Sequence, residues 1–115
     1  MMARQDRDAD IVAEIRLLPT ADGGRKGPIM SGYRPSHDLG ALYDGQPMLN
    51  DGMHELVGVE RLFPGEIGLS RLRMPWPEAQ FGRLDTGKTF TIQEGPKVIG
   101  HGTIIEVINP QMRRR

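Results

Sequence analysis

Fifteen glycines and nine prolines, 24 of 115 positions, are spread along this chain with no repeat period. That is nearly twice the usual combined share of about 12%. Proline removes a backbone donor and glycine lowers helix propensity, so long helices do not fit between these interruptions. What fits is a series of short extended segments joined by tight turns.

The segments are legible one by one. In Asp10–Leu18, Ile11, Ala13, Ile15 and Leu17 alternate on one side, which suits a half-buried strand, with an amphipathic helix as the alternative, and Pro19 ends the run. The turn at 21–24 carries two glycines, and a second extended piece runs from Pro28 to Pro35. Further candidates lie at 40–43, 56–63 and 67–74. In the last of these Ile67, Leu69 and Leu72 are apolar with one slip in the alternation, which suggests a bulge. Pro75-Trp76-Pro77 reads as a bend. The segment 88–94 places Phe90 and Ile92 inward and threonines outward, Gly95-Pro96 turns the chain, and β-branched runs follow at 98–99 and 103–108. Six or so strands without a convincing helix predict an all-β, six-stranded antiparallel closed barrel over residues 10–108, because closure removes exposed edges. A flexible N-terminal extension, 1–9, and a basic C-terminal tail, 109–115, flank it.

Composition narrows the class. At 37% hydrophobic the chain can build a core, and no apolar run approaches the roughly 18 residues of a membrane-spanning helix. Without cysteine there is no disulfide, thiolate metal site or cysteine nucleophile. The opening MMARQDRDAD lacks the apolar stretch of a signal peptide, so the cytoplasm is expected. The zero formal net charge hides an asymmetry: residues 36–60 hold Asp38, Asp44, Asp51, Glu55 and Glu60 with no Lys or Arg. Residues 96–115 hold Lys97 and Arg113-Arg114-Arg115 against Glu106, the arginines being expected as a solvated, frayed end. A phosphate-gripping protein normally shows a clear basic excess, which disfavours broad nucleic-acid binding.

The chemistry-bearing residues are sparse. His37, His54 and His101 share no metal-ligand spacing, and each is expected on the surface or in a loop, so no metal and no cofactor are expected. His37-Asp38 offers a base beside a carboxylate, but Ser31, Ser36 and Ser70 lie in no nucleophile-elbow context. Gly82–Thr89 matches the phosphate-loop pattern G-x-x-x-x-G-K-[ST] letter for letter. A strand pattern follows it where a helix is required, so the match is read as chance.

Taken in order, Gly23-Gly-Arg25, Gly32-Tyr-Arg-Pro35, Pro64-Gly-Glu66, Phe90-Thr-Ile-Gln-Glu-Gly95 and Val98-Ile-Gly-His-Gly102, followed by Ile104–Val107, resemble the C-terminal domain of bacterial elongation factor Tu. The resemblance implies the same six-stranded closed barrel. It does not imply GTP hydrolysis, because these residues contain neither the GTPase domain nor the middle barrel of such factors. In that family the barrel contacts the T-stem of aminoacyl-tRNA, packs on the GTPase domain and receives the exchange factor. Glu94 and Gly95 match T-stem contacts, and Tyr33, Arg34 and Lys88 complete a candidate RNA-binding set. Ser36 stands in place of a tRNA-contacting glutamine, Gln93 in place of an arginine, and His37-Asp38-Leu39-Gly40 in place of an aromatic, arginine-containing strand. Thr91 falls where the family barrel faces its GTPase domain, and with Gln93 and Arg25 it forms the protein-interface set. The expectation is a stand-alone, non-enzymatic module for protein–protein recognition linked to translation, its partner a translation GTPase or exchange factor. tRNA binding is the alternative, and self-association through an apolar patch a further possibility.

Overall fold

A computed structural model describes residues 8–115, so most of the N-terminal extension lies outside the described residues. Nine strands form: β1 (Ile11–Leu17), β2 (Ile29–Met30), β3 (Ser36–Tyr43), β4 (Gln46–Asp51), β5 (Met53–Val57), β6 (Arg61–Leu62), β7 (Ile67–Arg73), β8 (Thr89–Glu94) and β9 (Lys97–Val107). Seven build one antiparallel sheet in the order β4-β3-β8-β9-β1-β7-β5, and β2 pairs with β6 apart from it. Among the described residues the only helical pieces are three short 3-10 turns, and no helix is long and apolar enough to cross a membrane.

The expected closed six-stranded barrel is corrected to an open, seven-stranded sheet curled into a half-barrel. The reason lies at Gly52, which alone separates β4 from β5. There the chain leaves β3, its partner through Asp51, and takes up β7, its partner from Met53 onward, so a stretch between the expected segments 40–43 and 56–63 forms two strands at opposite edges of the sheet. A Cβ at position 52 would lie 2.7 Å from Leu72 Cδ1, so only glycine lets the kink seat against the core. A single bridge from Tyr33 to His54 ties the segment ahead of β3 to β5.

The concave side holds the core. Ile11, Ala13, Ile15 and Leu17 all point inward as their alternation predicts, joined by Phe90, Ile92, Ile99 and Ile104. On β7 the inward residues are Ser70 and Leu72, while Ile67 and Leu69 face solvent. The expected bulge in β7 is absent; the register breaks instead within the β1–β9, β8–β9 and β3–β4 pairs. Buried Asp10 clamps three strand ends: its carboxylate accepts from the Met74 amide at 2.7 Å and from Asn109 Nδ2 at 3.0 Å, and its carbonyl accepts from the Ile108 amide.

The basic end is docked where fraying was expected. Met112 is fully buried in the core, Leu84 N donates to Met112 O, and Arg114 N donates to Leu84 O, each at 2.8 Å. A buried methionine one residue before the arginines supplies the apolar anchor that a solvated tail lacks.

Candidate functional site

The tight β8–β9 hairpin turns at Gly95, whose φ of 59° lies in the left-handed region, and sets Glu94 opposite Lys97. Glu94 thereby reaches the long stretch between β1 and β3, which holds Arg25 and Tyr33. Its carboxylate accepts hydrogen bonds from the Tyr33 hydroxyl at 2.6 Å and from the Arg25 guanidinium. Arg25 also lies over the Tyr33 ring, 5.0 Å from its centroid, and donates to the carbonyls of Gly27 and Pro28. Partial burial pushes the Glu94 carboxyl up, but the hydrogen bonds from Tyr33 and Arg25 and the charges of Arg25 and Lys97 outweigh it, and the net shift is downward. The Tyr33 phenol is raised above its ordinary range, first by burial and then by the adjacent Glu94 carboxylate. This triad joins Arg25 from the protein-interface set to Tyr33 and Glu94 from the RNA-binding set. Its carboxylate is spent on pinning one loop to one hairpin.

The other sequence candidates disperse. Thr91 and Gln93 share the outer face of β8, where the threonine hydroxyl donates to Gln93 Oε1 at 2.7 Å. Arg34 is exposed. Lys88 stands at the far end of β8, six residues or about 20 Å along the strand from Glu94, so the five RNA-binding candidates do not form one surface.

His37 and His54, expected on the surface or in loops, are fully buried. They sit on facing strands, and a single hydrogen-bonded chain crosses the core through them. His37 Nδ1 lies 2.9 Å from Asn50 O, His37 Nε2 lies 2.8 Å from His54 Nε2, and His54 Nδ1 lies 2.7 Å from Ser70 Oγ. A carbonyl only accepts, so Nδ1 of His37 carries the proton and its Nε2 is the acceptor. His54 then donates from Nε2, and the Ser70 hydroxyl donates to His54 Nδ1. Every ring nitrogen is satisfied by two neutral imidazoles. Burial lowers the pKa of both: His37 falls to about 4, with the Asn50 carbonyl and the Asp51 charge pulling the other way, and His54 falls well below its usual value, further lowered by His37. Serine, histidine and histidine have the order of a nucleophile, base and orienting group, yet all three are sealed in the core.

The His37-Asp38 pairing does not form, because consecutive strand residues face opposite sides of the sheet. His37 points inward, and Asp38 accepts the Gly40 amide at 2.9 Å on the outside. The phosphate-loop match is likewise spent on structure. The amides of Gly82, Arg83, Leu84, Gly87 and Lys88 donate to backbone carbonyls, and that of Thr86 to the Asp85 carboxylate, leaving no nest for a phosphate. Among the described residues no three His, Cys, Asp or Glu side chains converge to hold a metal ion.

A surface absent from the sequence reading lies on the convex side. Leu69 is 42% and Val57 44% exposed, and the two are directly opposed across the β5–β7 pair. Ile67, 53% exposed, stands two residues along on the same face. Phe63 and Val59, on the chain between β5 and β7, are also exposed. The signal was present in the slipped alternation of 67–74, where the inward place falls to Ser70. No protein-family model matches the chain.

Proposed function

We propose that this chain is a non-enzymatic binding module related to the C-terminal domain of elongation factor Tu, acting in the cytoplasm by protein–protein recognition linked to translation. The observation that carries this reading is the convex apolar face of Val57, Ile67 and Leu69. Contiguous exposed apolar side chains opposed across two strands are what a protein partner covers, and scattered single ones are not. Zero net charge supports a protein partner over a polyanion. The partner class is a translation GTPase or its exchange factor.

A second reading, tRNA binding, draws support from one feature. The backbone of the docked C-terminal end pairs with residues 82–84, Arg114 N donating to Leu84 O and Arg115 N to Gly82 O, which brings the chain positions of Arg83, Arg114 and Arg115 to one end of the fold.

One titration separates the two. The purified protein is tested by calorimetry against a translation GTPase, its exchange factor and tRNA at 50 and 200 mM salt, alongside an Ile67→Asp/Leu69→Asp variant. Both residues are exposed, so the variant folds as judged by circular dichroism. Binding to a protein that is lost in the variant and insensitive to salt supports recognition through this face. Binding only to tRNA, steeply weakened by salt and unchanged in the variant, overturns it.

A further inference from the structure

On the convex side, away from the apolar face, β3, β8 and β9 enclose a cleft of about 250 Å³ lined by Asp38, Gly40, Lys88, Thr89, Thr91 and His101. Strand register builds it: Asp38 lies opposite Thr91, and Thr91 opposite His101, so these three side chains form one outward row across three strands. Leu39 and Phe90 turn inward beneath and give the cleft a rigid floor. Gly40 sits at the register break in β3 with φ of +87°, and a Cβ there would stand 3.4 Å from Lys88 Nζ. The Lys88 ammonium therefore lies beside Gly40 of β3, in the lining of the cleft.

Two opposite charges share this space without using one another. Lys88 is half-buried, and its ammonium makes no hydrogen bond or ion pair among the described residues. Asp38 gives one carboxylate oxygen to the Gly40 amide and leaves the other open. No ion pair within 4.0 Å joins them, although a lysine stem is flexible enough to seek a neighbouring carboxylate. The Thr89 hydroxyl and the His101 ring add further hydrogen-bonding groups on the walls. A simple anion would face the Asp38 carboxylate, and a simple cation would face the Lys88 ammonium.

We infer that the cleft bounded by Lys88 and Asp38 binds a small zwitterion of the free α-amino acid class, whose carboxylate pairs with the Lys88 ammonium and whose ammonium pairs with the open oxygen of Asp38. The volume admits a molecule of that size. This site stands apart from the apolar face and does not depend on the identity of a protein partner.

The test uses the full chain, uniformly labelled with nitrogen-15, titrated at constant ionic strength and pH with glycine, acetate and methylammonium in separate series. Glycine is expected to shift the amides of residues 38–40, 88–91 and 101 in a saturable manner. Acetate and methylammonium, each supplying one of the two charges, are expected to bind about fivefold more weakly or not at all. Lys88→Met and Asp38→Asn should each weaken glycine by about fivefold. Asp38→Asn keeps an oxygen for the Gly40 amide, so it guards against loss of the fold, and the rest of the spectrum reports folding in both variants. Acetate or methylammonium binding as tightly as glycine overturns the zwitterion assignment. So does the absence of saturable shifts, or shifts confined to other residues.

Discussion

Acidifying this protein from pH 7.5 to 5 should remove at least about 2 kcal/mol of its stability, because two histidines that are neutral and buried in the fold become free to take protons on unfolding. The unfolded value for histidine is about 6.5, and His37 falls to about 4 in the fold while His54 lies well below its ordinary value. A group whose folded pKa is depressed contributes stability above its unfolded pKa and loses it as pH falls toward the folded pKa, so the window runs downward from about 6.5. For His37 the span from about 6.5 down to pH 5 is about 1.5 units, worth about 2 kcal/mol at 1.36 kcal/mol per unit, and His54 adds to the loss in the same direction. The geometry gives the cause beyond burial. A second proton on His37 would have to go to Nε2, which faces the N–H of His54 at 2.8 Å, so charging the pair breaks its central hydrogen bond. The groups facing this pair are Ser70, the Asn50 carbonyl, the Tyr33 ring, the edge of the Phe90 ring and, from a distance, Asp51. Glu94, whose pKa is lowered, loses its contribution only below the ordinary carboxylate range and does not enter this window. The assay is urea denaturation at pH 7.5, 6.5, 5.5 and 5.0, with the slope near pH 5 approaching two protons taken up per molecule unfolded. A flat stability between pH 7.5 and 5 would refute the buried neutral chain. A fall of equal size in a His37→Gln/His54→Gln variant would show that other groups carry it.

Two further substitutions probe how the sheet is built. Gly102→Ala would place a Cβ 2.2 Å from Phe90 Cζ, directly across the β8–β9 pair, so a loss of roughly 1–3 kcal/mol is expected in thermal unfolding. A stability within about 0.5 kcal/mol of the parent would mean that Phe90 has room to move. Glu94→Gln keeps an acceptor for Tyr33 but removes the charge facing Arg25. The pair is partly exposed, so the loss should be no more than about 1 kcal/mol. In the same variant the Tyr33 phenol should titrate at lower pH than in the parent, because one cause of its elevation is gone, and ultraviolet titration would detect a phenol that does not move.

Much of the architecture could be read from local pattern. The alternation of Ile11, Ala13, Ile15 and Leu17, the inward Phe90 and Ile92 and the Gly95-Pro96 turn depend only on the two-residue period of a strand and on backbone angles that glycine reaches freely. These are short-range effects, so the residues that carry them are neighbours in sequence. The all-β class follows from the same source, since the glycines and prolines that stop helices are themselves local.

The remainder depended on which strand lies beside which. Gly52 is one glycine among fifteen in the sequence, and only its approach to Leu72 from β7 makes it the point where one strand divides between two edges. His37 and His54 are separated by 17 residues and resemble surface histidines until the fold brings their rings together and excludes water from both. Ile67 and Leu69 look like core residues until Ser70 is needed inside to complete that chain. Arg25, Tyr33 and Glu94 converge only because the β8–β9 hairpin turns back toward the stretch between β1 and β3. Local sequence determines the strands and turns of this protein. Burial, and the partners that make a buried polar group tolerable, are properties of contacts between distant segments, and only the tertiary structure decides them.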